Sequence, residues 1–292
     1  MKHPMAMILT ALGLIGSVFI APALVSIVGL LLYRGGDTIN LSLLFGDVSP
    51  WAAISGQKPV WDGLWPACLG TVSLVGLTLV LVLPPGLGCG IFLAEFASPR
   101  QRELIGTAMD MAAGVPSIVM GLFGFTLILA LRQIFPQANT CLLLAAFCLS
   151  LLVLPALVTA TREAVNAVPQ ELRLTMAALG FSKSQSLYRV VLPAAGQGIL
   201  SGVILALGRA AEDAAVIMLT GVVANAGLPA GLTSKFEALP FRIYYTAAQY
   251  ADQGELAAGF GAALVLLMLS GGLLFCAWLL QRGLEREWRG LK

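Results

Sequence analysis

Residues 169–193 read PQELRLTMAALGFSKSQSLYRVVLP. Pro169 suits the first position of a helix, where its missing N–H costs nothing. Gln170-Glu171 follow and put negative charge in the first turn, where the helix dipole favours it. Leu172, Met176 and Leu179 recur at helical spacing, and Gly180 ends the helix as a residue able to adopt positive φ. Ser182, with Gln185 three residues on, forms a capping box for a second short helix. That helix carries Leu187, Tyr188 and Val191 ahead of Leu192-Pro193. The stretch predicts two amphipathic helices joined by a glycine turn. It can lie at a membrane surface or lay its apolar face into a partner's groove.

Its flanks settle the class. Apolar runs of about 20 residues, the length that spans a bilayer, precede and follow it at 141–160 and 193–223. Four more occur at 5–32, 66–94, 105–131 and 256–280. The second run is interrupted by Pro84-Pro85-Gly86. The first contains Ala21-Pro22-Ala23, which mimics a cleavage site, but its apolar stretch continues to Leu32 and reads as an uncleaved anchor. Across all 292 residues, 58% are hydrophobic and 11% charged, against about 25% charged in a typical soluble protein. Mean hydropathy is +0.90. A soluble domain cannot cover its surface with so little charge, so the reading is an all-α polytopic membrane protein with six spans.

The 17 basic and 15 acidic residues nearly cancel, which gives no reason to expect a nucleic-acid partner. Their placement is more informative. Lys2, Arg100, Arg102, Arg162, Arg173, Lys183, Arg189, Arg282, Arg286, Arg289 and Lys292 fall on one set of loops and tails. Arg34, Lys58, Arg132, Lys235 and Arg242 fall on the other, and Arg209 lies inside a span. The bias places both termini in the cytoplasm. Two long outer segments carry aromatics: Trp51, Trp61 and Trp65 in the first, and Phe236, Phe241, Tyr244, Tyr245 and Tyr250 in the second. These predict contact with the membrane interface or with an outer partner.

His3 is the one histidine, and the five cysteines, Cys68, Cys89, Cys141, Cys148 and Cys276, form no Cys-x-x-Cys pair. That argues against His-based catalysis and metal sites, and it makes the cysteines small hydrophobes in helix packing. No Gly-x-x-x-x-Gly-Lys-Ser/Thr phosphate-cradling loop occurs, so any ATP hydrolysis must come from another subunit. Met109, Met111 and Met120 read as core packing, and Gly114, Gly121 and Gly124 as sites of close helix contact. Asp62 and Asp110 read as helix-end charges. Pro116 should kink or break the third span.

The run Ala178-Leu179-Gly180, nine residues, then Val190-Val191-Leu192-Pro193 resembles the Glu-Ala-Ala loop of ABC-transporter permeases. The Glu-Ala-Ala positions themselves hold Leu174-Thr175-Met176. Gly114-Val115-Pro116-Ser117-Ile118-Val119-Met120-Gly121-Leu122-Phe123 resembles a signature of phosphate-transport permeases. Gly70-Thr71, Pro84 and Leu93-Ala94-Glu95-Phe96 resemble the second span of the PstA-type subunit, and Leu239-Pro240 through Ile243-Tyr244 its outer loop. The resemblance covers about Trp61 to Arg282.

It implies an ABC type-1 permease fold with a cytoplasmic coupling-helix pair. Residues 1–60 would be an anchor and first outer loop, 61–284 the transmembrane domain and 285–292 a cytoplasmic tail. The implied function is half of the pathway of an inner-membrane ABC importer for inorganic phosphate, without cofactor. The implied partners are a PstC-type sister permease, two ATP-binding subunits, a periplasmic or surface phosphate-binding protein, and membrane lipid. The ATPase contact would involve Pro169, Glu171, Arg173, Ala178, Leu179, Gly180, Leu192 and Pro193. An ABC permease for molybdate, tungstate or sulfate, an ATP-independent transporter or channel, and a membrane assembly or signalling subunit remain as alternatives.

Arg209, Glu212 and Asp213 stand in the stretch where the family shows Arg-Ala-(Ile/Leu)-Gly-Glu-Thr, and this chain departs from that pattern after Ala210. Charge inside a bilayer is costly and is normally paired or functional. The spacing lets Arg209 face Glu212 and Asp213 on one helix face. Arg suits bidentate contact with an oxyanion. Arg209, Glu212 and Asp213, with Pro116 and Ser117 of the interrupted span, are the pathway candidates; a static salt bridge pinning helices is the competing reading.

Overall fold

The computed structural model describes residues 4–290, with side chains described for residues 12–14 and 16–283. Lys2, His3 and Lys292 lie outside it, as do the side chains of Arg286 and Arg289. Thirteen α-helices follow one another among these residues, and no named strand occurs. Helix α1 (Pro4–Gly35) crosses first, and its described side chains from Leu12 on are almost all exposed, the pattern of a lipid-facing helix. Two short helices, α2 (Leu41–Phe45) and α3 (Pro50–Ile54), fold over a small cluster of Phe45, Ala53 and Val60. Helix α4 (Trp65–Glu95) is the second crossing. Helices α5 (Pro99–Ala113) and α6 (Ser117–Ile134) come from the third apolar run, and α7 (Leu142–Asn166) is the fourth crossing.

The quoted loop gives α8 (Gln170–Ala178) and α9 (Lys183–Ser186). A π-helical segment, Leu187–Val191, joins α9 to α10 (Leu192–Glu212). A short α11 (Ala215–Thr220), a loop, α12 (Leu239–Gln249) and a long α13 (Gln253–Gly290) complete the chain. Six of these stretches are long and apolar enough to cross a membrane. Six crossings return the chain to the face where it began, and α8 lies on that face.

The core is the seam between α4 and α7, closed by α6, α10 and α11. Leu74, Leu149, Leu152, Val153, Ala206, Ala210, Ile217 and Phe236 are all buried in it. Glycines set the spacing: a Cβ on Gly86 would stand 2.5 Å from Leu157, and one on Gly90 the same distance from Thr161. That packing keeps α4 continuous through Pro84-Pro85, where the sequence predicts an interruption. The buried seam holds the helix even though two prolines remove two backbone donors.

The third run departs from a single span at 105–131. Its first part is α5, an amphipathic helix started by a capping box in which Ser98 and Gln101 bond each other's backbone N–H. The chain breaks at Gly114–Pro116, and the apolar helix starts at Ser117. Pro116 accordingly breaks the run rather than kinking it. Asp110 ends up in the last turn of α5, and Met111 is exposed rather than packed. Gly121 and Gly124 do sit in close contacts, against Ala215–Val216 and against Cys148 and Thr220. Gly114 does not; its nearest neighbour is the carbonyl of Met111 one turn back. Cys68, Cys141 and Cys148 are packed as expected, whereas Cys276 is exposed.

Candidate functional site

The loop at 169–193 folds much as its sequence dictates, with two shifts. Pro169 caps α8 from just outside it, in an extended conformation, so helical geometry starts at Gln170. Gly180 adopts φ +80°. The Gly180 N–H donates to the Ala177 carbonyl (3.0 Å) and the Phe181 N–H to the Met176 carbonyl (3.1 Å), which closes α8 with paired bonds only a left-handed residue permits. Ser182 and Gln185 form the expected capping box (3.3 and 2.9 Å). The second helix is not a separate short one. It widens into the π-helical segment ahead of Pro193, whose ring cannot accept an ordinary turn before it, and runs on into span five.

Val165, Val168, Leu187, Val191 and Ala195 anchor the loop from beneath, with Leu192 packed beside them. The opposite surface is open and apolar. Leu174 is 62% exposed, Leu179 65% and Tyr188 71%; Glu171 and Ala178 are also exposed. Apolar side chains standing clear of the protein in this way mark a contact surface.

Arg173 points inward instead. It forms an ion pair with Glu95 at the end of α4, and its Nη2 donates to the Val165 carbonyl at 2.7 Å. This is the one ion pair among the described residues. Arg102 of α5 donates to the last α4 carbonyls, Leu93 (3.0 Å) and Ala94 (3.1 Å). Two arginines from distant segments therefore close the same helix end. Sequence reading named Glu95 only within the Leu93–Phe96 resemblance and gave it no role. The available signal was its position: an acid as the last residue of a long apolar helix sits at the negative end of the helix dipole and needs a cation.

In span five the structure separates residues that the sequence grouped. Helix α10 ends at Glu212, and Asp213 is extended (φ −78°, ψ 108°). Its carboxylate accepts from the Val216 N–H at 3.0 Å and so caps α11. Asp213 is therefore not the i+4 partner of Arg209 on one helix. The static salt bridge also fails, because no Arg209 pair with Glu212 or Asp213 forms. Arg209 and Glu212 are both exposed on the single chain. With Ser201 and Leu205 they form an exposed stripe at i, i+4, i+8 and i+11 of α10. Ala211 is buried with Val75 and Leu207.

The break at Asp213–Ala214 lies beside the first turns of α6, since a Cβ on Gly121 would stand 3.0 Å from the Ala215 carbonyl. Ser117, half-buried, and Pro116, exposed, lie one turn earlier at the break in span three. Chain breaks that border two of the spans, before α6 and after α10, therefore lie near the charged stripe.

On the face opposite α8, a cavity of about 260 Å³ is lined by Asp62, Asn225, Arg242, Tyr245, Gln249 and Glu255 among others. Asp62 belongs to this cavity rather than to the first turn of α4. Asn225, at φ +56°, accepts from Arg242 at 3.1 Å. Beside it, Glu237 is 3% exposed and accepts from the Gly227 N–H at 3.2 Å. Burial pushes its carboxyl above the usual range, against the opposing pull of Gly227, Arg242 and Ala226. Phe236 is fully buried, so it is a core residue and not an interface aromatic, whereas Trp51, Trp61, Tyr244 and Tyr250 are exposed as expected. Phe241 packs against the core, and its ring lies 6.0 Å from that of Tyr245 in a tilted arrangement.

Six apolar crossings, a charged stripe exposed on one of them and a protruding helix pair are the features of a membrane transport subunit. The chain belongs to the family of binding-protein-dependent transport system inner membrane components, whose family model matches residues 86–290. It is 36% identical over 208 residues to the phosphate transport system permease protein PstA 1 of Mycobacterium tuberculosis (strain ATCC 25618 / H37Rv). That match covers 71% of this chain and 66% of the relative's length. It is 28% identical over 247 residues to the phosphate transport system permease protein PstC of Mesorhizobium japonicum, covering 73% of each. Its fold is that of a chain in inward-facing structures of the MetNI methionine ABC transporter (TM-score 0.58, 16% identity, covering 81% of this chain and 99% of the other). The protein is accordingly a multi-pass inner-membrane protein and a transport component.

Proposed function

We propose that this chain forms one half of the translocation pathway of an ATP-driven importer for inorganic phosphate. The observation that carries this is the Arg209–Glu212 stripe: two charged side chains exposed on a span of the single chain. They cannot face lipid without large cost, so they require a water-lined pathway completed by a second permease chain. Arg209 supplies the donor fork suited to an oxyanion. Glu212, one turn away on the same stripe, keeps the local field from holding that anion too tightly. The anion is taken as phosphate by likeness to the PstA and PstC relatives.

The second permease is a PstC-type sister chain. Two ATP-binding subunits supply hydrolysis, and one of them seats on the exposed face of α8 and α9. The excess of basic residues on the α8 face supports a cytoplasmic position for that face and for both termini. A phosphate-binding protein then delivers substrate to the opposite face, where the Arg242 cavity and the exposed Trp51, Trp61 and Tyr244 lie. Residues 61–284 form the transport domain.

Arg209→Gln tests the pathway. Uptake of phosphate should be abolished while the complex still co-purifies with its ATPase. Retained uptake would remove Arg209 from the pathway, and with it the reading of the stripe.

A further inference from the structure

Helix α4 is bonded at both ends to segments far away in sequence. At its cytoplasmic end Glu95 holds Arg173 of α8, and Arg173 is fixed a second time on the Val165 carbonyl. Arg102 closes the neighbouring α4 carbonyls. At its outer end Thr71 Oγ1 accepts from the Leu239 N–H (2.9 Å) in a buried bond. One residue before it, Gly70 lies directly under the Glu237 carbonyl, with no room for a methyl group between them. Between these ends run 31 residues of continuous helix, about 46 Å at the usual rise.

The position of Glu95 carries the inference. A carboxylate as the last residue of a helix meets the negative end of the helix dipole, and a half-buried one is also partly stripped of water. Neither helix formation nor membrane insertion explains it. Among the described residues the group that does is Arg173, on the helix whose exposed face is read above as the ATPase contact.

We propose that the Glu95–Arg173 ion pair links the coupling helix to span two, so that α8 and α4 move as one body. Through Thr71 and Gly70 that motion reaches the outer segment 222–240. The pair is a positioning device and touches no substrate. Without it, α8 loses its direct bond to α4 and is tied to it through α7 and through the packing of Ile91 and Ala94 on the Val168–Leu187 cluster, so its displacement no longer passes to α4 directly. The inference rests on the reading of α8 as the ATPase contact.

The test uses the complex purified with its ATPase in lipid nanodiscs. An environment-sensitive fluorophore is placed at exposed Lys235 as Lys235→Cys, with exposed Cys276 changed to Ser. ATP with vanadate should shift the probe's emission in the otherwise unaltered complex. Glu95→Gln should abolish that shift while the complex still assembles and hydrolyses ATP at its basal rate. The exchanged pair Glu95→Arg with Arg173→Glu should restore it, which a loss of mere helix stability would not predict. A full shift in Glu95→Gln, or an assembled exchanged pair that fails to respond, would overturn the linkage. A probe that responds normally in a complex whose ATPase ignores phosphate would support the linkage while overturning the substrate reading.

Discussion

Gly70 and Gly76 lie on the same helix, less than two turns apart, and should respond to alanine with opposite sign. A Cβ on Gly70 would overlap the Glu237 carbonyl oxygen, a backbone atom that cannot swing aside as a side chain can. Either α4 or the 236–239 strip must move. Forced overpacking of this kind costs about 1–3 kcal/mol. The same displacement pulls the buried Leu239 N–H from Thr71 Oγ1, and an orphaned buried donor costs a further 1–3 kcal/mol or so. Around Gly76 nothing lies within 4 Å of an added methyl, and replacing a mid-helix glycine by alanine gains about 0.5–1 kcal/mol. Equilibrium unfolding in mixed micelles should therefore place Gly70→Ala about 2–6 kcal/mol below the parent chain, summing the two costs, and Gly76→Ala slightly above it. Hydrogen exchange at residues 222–240 should accelerate in the first variant and stay unchanged in the second. Equal stabilities for the two variants would refute the docking of the outer segment on α4.

Asp213→Ala should cost about 1 kcal/mol by uncapping α11, and Asp213→Ser should recover most of it; a variant ranking set by charge rather than capping ability would contradict the cap. Gly180→Val forces a β-branched residue into the left-handed region at about 1–2 kcal/mol, so amide exchange at Phe181 should rise and binding of the ATPase should weaken. Glu237 binds its proton more tightly folded than unfolded, so the stability it contributes is complete at pH below the usual carboxylate range. That stability is lost as pH rises through the raised folded value. Glu237→Gln should flatten the fall in outer-loop protection above pH 4.5, and an unchanged pH profile would show that Glu237 does not titrate there.

The spans were legible because a bilayer demands about 20 apolar residues whatever the protein does. The α8–α9 turn was legible because caps and a left-handed glycine are local devices, written within four residues of where they act. The breaks in spans three and five were harder to place. A window average carries the apolar run past Glu212-Asp213 to Val223, and nothing in that average reveals that the Asp213 carboxylate accepts from the Val216 amide. The Glu95–Arg173 pair joins residues 78 apart in sequence, beyond any periodic pattern. Aromatic composition misled at Phe236 because it marks an interface only when the ring is outside, and the close approach at Gly70 and Gly221 draws this ring in.

The most direct measurement is ATP hydrolysis by the complex that co-purifies with this chain, in nanodiscs, with a phosphate-binding protein and each candidate anion in turn. Stimulation by phosphate, and none by sulfate or molybdate, is the expected result. Stimulation by another anion alone would contradict the substrate, and the absence of any co-purifying ATPase would contradict the importer itself.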